Sequence, residues 1–285
     1  MLRLGYLGPE GTFSAQAAIV WSCNKFELIG FASITQLLEA FIQGKLDRAI
    51  VPIENVLGDV VHDTVDFLMA HVWTNPNLRI TQEVLIPIRQ MLLGQSQTDL
   101  SLVTKVLSHS QGLAQCSRFL QDRNWKQTPV SSTALAAELV SQSEVATVVA
   151  IGSKQAAEQH GLQVLAADIG DSQHNVTRFV VLGGPKTAAN GQSKTTLFFS
   201  TKNEAGALYN ALGVFYYQGL NLSRITSYTT KLVLGECNFW IDVDGHESDP
   251  VFAAAIGQLR ERFTDKVMVV GSYPKAKPIA ITDEE

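Results

Sequence analysis

Short apolar runs and longer stretches with an apolar residue at every third or fourth position take turns along this chain. Residues 2–7 form a short run that suits a buried strand, and a Gly-containing turn leads from it into a helical period over 13–21. Residues 27–31 and 49–51 read as further strands, with an amphipathic helix over 33–43 between them. Strands alternating with helices imply a parallel or mixed sheet covered by helices on both faces. Residues 79–93 are β-prone but contain Pro87, which has no ladder donor, so an edge position or a bent crossing is expected there. A second alternating series follows: strand 103–107, helix 113–123, strand 128–130, helix 133–141, strand 145–150, helix 153–159 and strand 162–166. Residues 177–182 read as a return strand into the first set.

Residues 183–193 are small, polar and Gly- and Pro-containing, as a linker would be. Beyond them the pattern predicts strand 195–200, helix 207–218, strands 222–229 and 237–244, helix 250–262 and strand 266–271. That order, βαββαβ, is a ferredoxin-like unit.

With 285 residues, 46% of them apolar and 17% charged, the chain can fill two or three cores and is not disordered. A net charge of −5 gives no general attraction to nucleic acid or to an anionic membrane, so an anionic substrate must be caught by local donors. The three cysteines, Cys23, Cys116 and Cys237, are scattered, without metal-ligand spacing, and read as reduced thiols. The first residues enter a strand directly and no apolar stretch reaches ~18 residues, so neither a signal peptide nor a membrane span is expected. The expected location is the cytoplasm.

Four segments carry candidate chemistry. Gly8-Pro9-Glu10-Gly11-Thr12-Phe13 lies between a strand and a helix, where glycines let backbone N–H groups approach a ligand and Thr12 can cap the helix; an ordinary turn is the plainer reading. Val51-Pro52-Ile53-Glu54-Asn55, with Gly58, ends a strand at the sheet edge where α/β sites collect, although a helix cap would use the same residues. Ser108-His109-Ser110-Gln111 ends another strand, and Ser108 and Gln111 are neutral hydrogen-bonding groups. No carboxylate or nucleophile is patterned around His109, which favours a structural role. Asn175-Val176-Thr177-Arg178-Phe179 places a hydroxyl and a guanidinium next to each other, which suits a substrate that loses an oxygen while its carboxylate is anchored.

In this order and spacing the four segments resemble those of prephenate dehydratases, and residues 194–273 resemble the ACT regulatory domain. The resemblance implies a two-lobed catalytic domain over 1–182, like type II periplasmic-binding proteins. Lobe one would take about 1–79 plus 177–182 and lobe two about 80–176. A linker 183–193, the ACT domain and a tail 274–285 would follow. It implies a carbon–oxygen lyase that converts prephenate to phenylpyruvate, water and CO2 in L-phenylalanine biosynthesis, with no metal or cofactor. Thr177, Arg178, Asn55, Glu54, Ser108 and Gln111 would be catalytic. Thr12, Gly11 and Phe179 would bind substrate. L-phenylalanine would bind as effector at Gly206, Ala207 and Leu208 and at Asn221 and Leu222, in a homodimer or homotetramer. Val56 stands where the family usually has Ser or Thr, Ser110 where it has Pro, and Thr226-Ser227-Tyr228-Thr229 where it has Glu-Ser-Arg-Pro. The last departure predicts weaker coupling between effector and activity. Arogenate dehydratase and a non-catalytic two-lobed ligand sensor are the competing readings.

Overall fold

Capped helices after short apolar strands build most of the first half. The structure, a computed structural model, describes residues 1–201, 203–229, 237–264 and 266–277. β1 (Leu2–Leu7) turns into α1 (Phe13–Ser22), where Ala15 N–H donates to Thr12 Oγ1 at 3.1 Å and the Thr12 hydroxyl donates to the Pro9 carbonyl at 2.9 Å. β2 (Phe26–Phe31), α2 (Ile34–Ile42), β3 (Arg48–Asn55), β4 (Asp59–Val60), α3 (His62–His71) and β5 (Ile80–Pro87) follow. Then come β6 (Met91–Gly94), β7 (Lys105–Ser108), α4 (Ser110–Gln115), α5 (Ser117–Gln121), β8 (Lys126–Pro129) and α6 (Thr133–Ser141). β9 (Val148–Gly152), α7 (Lys154–His160), β10 (Gln163–Ala166) and β11 (Val176–Leu182) complete the series.

These strands form two mixed sheets. One is six-stranded in the order β2-β1-β3-β11-β5 with β4 added on β3; the other is five-stranded, β10-β6-β9-β7-β8. Pro87 ends the edge strand β5, where a missing donor breaks no ladder. In the second sheet Leu92, Val106, Val149 and Ile151 bury one face against Leu113, Cys116 and Leu120.

One local expectation changes. The single helix over 113–123 is two helices that start earlier, at Ser110, and break at Cys116. Asp171 explains the break: its carboxylate accepts from the Ser117 hydroxyl (2.7 Å) and from Arg118 N–H (3.0 Å), capping α5 from 54 residues away in sequence. Helix α3, which the sequence reading does not include, buries Val65, Phe67 and Leu68 along one side. Its buried side includes Thr64, whose hydroxyl donates to the Pro52 carbonyl at 2.7 Å.

Cys116 sits buried beside this break, and burial, with the Asp171 charge adding to it, pushes its thiol up to about 12. Iodoacetamide at pH 8 should therefore label the exposed Cys23 and spare Cys116 in the folded protein. Peptide mapping that found both modified at similar rates would contradict this. The side chain of Cys237 lies outside the described residues.

Contact density divides the described chain into two compact units, 1–64 with 84–179, and 65–83 with 180–277. In the second, β12 (Ser193–Ser200), α8 (Ala207–Tyr217), β13 (Leu222–Thr229), β14 (Cys237–Asp244), α9 (Pro250–Gln258) and β15 (Val267–Pro274) run βαββαβ. A short π-helical turn, Leu259–Phe263, continues α9, so the helix expected to Arg262 keeps its extent but widens its pitch after Gln258. The sheet order β13-β14-β12-β15, with antiparallel neighbours, is that of a ferredoxin-like unit. Leu197, Phe199, Phe215, Ile241, Phe252 and Leu259 fill its core. Residues 278–285, most of the expected tail, lie outside the described residues.

Residues 79–83 belong to the same unit. Arg79 pairs with Glu247, the Thr81 hydroxyl donates to the Gly183 carbonyl (2.8 Å), and Lys194 Nζ meets the buried Glu83 carboxylate at 3.1 Å. At Gly271 the chain passes so close to Ile80 that a Cβ would lie 2.0 Å from its carbonyl oxygen and 2.8 Å from the carbonyl carbon. Backbone cannot give way as a side-chain tip can. Gly271→Ala should therefore cost roughly 1–3 kcal/mol, read as a lowered thermal transition. An unshifted transition would show that the strands separate freely.

Candidate active site

β3 and β11 are neighbours, and both carry polar residues at the same sheet edge. Strand alternation sorts the side chains. Thr177 and Phe179 face a cleft of about 550 Å³ within the first unit, together with Asn55 of β3. Arg178, between them, faces the other way. It is 6% exposed and its Nη1 donates to Glu54 Oε1 at 2.8 Å, so the pair braces β3 to β11 behind the cleft. Arg178 and Glu54 are thus not cleft-lining groups, contrary to the expectation of a hydroxyl and a guanidinium acting side by side. A strand cannot present consecutive side chains to one face.

In front, the geometry is specific. Asn55 Oδ1 accepts from Leu57 N–H at 2.9 Å, which fixes the amide so that Nδ2 points inward. That nitrogen donates to Thr177 Oγ1 (2.8 Å) and to Asn175 Oδ1 (2.8 Å). Because the Thr177 oxygen already accepts a hydrogen bond, its proton is available to something in the cleft. Asn175 Nδ2 donates to Gln115 Oε1 (3.0 Å), which also accepts from Gln90 Nε2 (3.2 Å). Four neutral amides therefore hold one hydroxyl in place.

Gln111, in the first turn of α4, reaches the turn after β3. A Cβ on Gly58 would come within 2.0 Å of Gln111 Nε2 and 3.3 Å of Asn55 Oδ1, so glycine is what lets these groups meet. Three helices of nine or ten residues also start at the cleft: α1 at Thr12, α2 at Ser33 and α6 at Ser132, each cap accepting from a backbone N–H of its first turn. Their free N–H groups and dipoles favour anions. Asp63 and His109 are the only ionisable side chains among the described residues lining the cleft, and neither is a fixed cation.

Other expected site residues have different work. Ser108 is fully buried and its hydroxyl donates to the Ile151 carbonyl of β9 at 2.8 Å, so it joins two strands and does not reach the cleft. Gly11 also stays out of the cleft lining. It has φ +78, a Cβ there would meet Gln159 Oε1 at 2.8 Å, and its carbonyl accepts from Ser153 (2.8 Å). It is a close-packing glycine. Thr12 lines the cleft with its hydroxyl committed to the cap. His109 also lines it, with Nδ1 accepting from Gln111 N–H at 3.3 Å, a capping role. Asn175, Gln90 and Gln115 were not singled out as site residues. Asn175 had a signal, since it sits two residues before Thr177 on a strand period, whereas Gln90 and Gln115 join only through tertiary structure.

In the second unit Gly206 (φ +81) opens α8, Ala207 is buried and Leu208 packs on the core. Asn221 Nδ2 donates to Asp244 Oδ2 at 3.0 Å and Leu222 packs on the core at the start of β13. Gly206 and Asn221 lie at opposite ends of α8, whose 11 residues span about 16 Å, so one chain does not bring them together.

The family model described as prephenate dehydratase matches residues 4–187. A bifunctional chorismate mutase/prephenate dehydratase of Neisseria gonorrhoeae is 36% identical over 96% of this chain, which spans 75% of that relative. A prephenate dehydratase of Bacillus subtilis is 32% identical over 95% of this chain and 98% of its own length. The crystal structure of a prephenate dehydratase from Arthrobacter aurescens in complex with L-Phe is similar with a TM-score of 0.85 and 33% identity, covering 99% of this chain and 94% of that one. The chain belongs to the prephenate dehydratase family.

Proposed function

We propose that the cleft around Thr177 is where this chain converts prephenate to phenylpyruvate, water and CO2. Prephenate is a cyclohexadiene with a C4 hydroxyl, a ring carboxylate and a pyruvyl side chain. As the bond from the ring to the carboxylate carbon breaks, its electron pair enters the ring, the C4–O bond breaks and CO2 and hydroxide leave. Aromatisation supplies most of the driving force, so the protein's task is to position the substrate and assist the leaving oxygen. The observation that carries this reading is the Asn55-to-Thr177 hydrogen bond, which leaves the Thr177 proton free for that oxygen. N–H groups at the starts of α1, α2 and α6, with Gln111, would hold the two carboxylates, and Phe179 would wall the ring. Glu54 and Arg178 support the site from behind. Assays of purified protein with prephenate and with arogenate test it; turnover of arogenate alone would transfer the assignment, and turnover of neither would remove it.

The second unit's βαββαβ order and the L-Phe complex of the Arthrobacter aurescens relative support reading residues 194–273 as an ACT domain, after a catalytic domain over 1–182 and a connecting segment 183–193. L-phenylalanine would bind between the Gly206 turn of one copy and Asn221 of another, in a homodimer or a homotetramer built from it. Among the described residues no helix is long and apolar enough to cross a membrane, which accords with a cytoplasmic enzyme. Thr226-Ser227-Tyr228-Thr229 lies on β13, with Tyr228 buried. Without the family's acid and arginine there, binding should persist while inhibition stays partial, because a ligand shifts a conformation only by its differential affinity. Calorimetry beside an activity titration decides it: no binding refutes the pocket, and complete inhibition refutes the weakened coupling.

A further inference from the structure

We propose that a second groove in the first unit, separate from the catalytic cleft, binds a small primary amine carrying an apolar substituent. The groove has a volume of about 450 Å³ and is lined by Tyr6, Glu10, Gln155 and Glu158 on its polar side and by Ile19 and Leu28 on its apolar side. None of the six lines the catalytic cleft.

Two polar groups in this groove lack partners. Tyr6 rises from β1 with only 4% of its surface exposed, and its hydroxyl lies over Gly30 of β2, where a Cβ would sit 3.2 Å from Oη. Among the described residues that hydroxyl makes no hydrogen bond, although it faces this groove and a neighbouring cavity. The Gln155 Oε1 atom is likewise buried and makes none. A tyrosine this deeply buried whose hydroxyl tip stays open to the groove without a protein partner marks where a hydrogen-bonding ligand group belongs.

The surrounding charge says which donor. Glu10 and Glu158 bring two carboxylates, no basic side chain lines the groove, and Gln159 Nε2 holds Glu10 Oε2 at 3.4 Å. Burial, with the Glu10 charge adding to it, raises the Tyr6 hydroxyl above its usual value, so it remains neutral and offers a lone pair. Acceptors beside negative charge suit a cation that has its own N–H bonds. A bare metal ion is a poorer fit, because no group of three or more His, Cys, Asp or Glu among the described residues is arranged to hold one. An ammonium offers three donors, for Tyr6 and the carboxylates of Glu10 and Glu158, and its substituent would lie against Ile19 and Leu28.

The test uses the full chain and n-butylammonium chloride, with n-butanol as the uncharged probe of like shape, followed by ligand-observed NMR titration at pH 7. Saturable binding of the amine is expected, with the alcohol weaker by roughly tenfold or more, the loss of one charge-assisted contact. Glu158→Gln and Tyr6→Phe should each weaken the amine several-fold while keeping the thermal transition and phenylpyruvate formation, which shows that they fold. Equal binding of amine and alcohol, undiminished binding in a Glu10→Gln/Glu158→Gln double variant, or no saturable binding of the amine would each overturn the proposal.

Discussion

Replacing Thr177 by Ala should lower turnover by roughly 10²-fold or more, the range for losing a donor aimed at charge developing in the transition state. The hydroxyl sits on a strand that lines the cleft and is held by Asn55 Nδ2 at 2.8 Å, which leaves its proton free for another acceptor. Thr177→Ser keeps the hydroxyl and should retain much more activity, losing mainly the χ1 restriction of a β-branched side chain. Asn55→Ala should fall between the two, because it frees the Thr177 hydroxyl to rotate and leaves the buried Asn175 amide short of a donor. Initial rates of phenylpyruvate formation at saturating prephenate are the measurement. Near-normal turnover in the Ala variant would sink the assignment.

The second large effect concerns stability. Glu54→Ala removes the carboxylate that meets Arg178 at 2.8 Å, leaving a guanidinium 6% exposed without that ion pair. Breaking a fully buried pair typically costs ~3–5 kcal/mol; with the Glu54 side chain 29% exposed, about 2–3 kcal/mol is expected. That corresponds to a thermal transition lowered by roughly 5–10 °C. Arg178→Lys should show a smaller drop, since one point charge replaces a planar fork, with the Michaelis constant changed less than about twofold. A large rise in that constant without loss of stability would return the guanidinium to a substrate carboxylate.

That revision shows how far the residues could be read in advance. The element order was legible because strands with continuous apolar runs and helices with capping residues announce themselves, as at Thr12, Ser33 and Ser132. Pro87 marked an edge through its missing donor. What the sequence hid was decided by distant partners. Asp171 splits one expected helix into α4 and α5 from 54 residues away. At the site, the motifs named Thr177, Asn55 and Gln111, and these three line one cleft. It could not by itself sort side chains by face. Applying the two-residue strand period to 175–179 would have placed Asn175 with Thr177 and sent Arg178 behind. Ser108 and Gly11 sit in the motifs for packing reasons, one tying β7 to β9 and the other admitting Gln159.

The Leu57 N–H that fixes the Asn55 amide also gives the hydrogen-bond chain a direction. Each bond from Asn55 runs outward, and the arrow ends on the Thr177 oxygen. An Asn55→Asp exchange keeps the shape and reverses the arrow, because a carboxylate accepts where the amide donated. Thr177 would then give its proton backward and present only lone pairs to the departing oxygen. A cleft with the same outline would have lost its polarity, which is set by one backbone amide and by no titrating group.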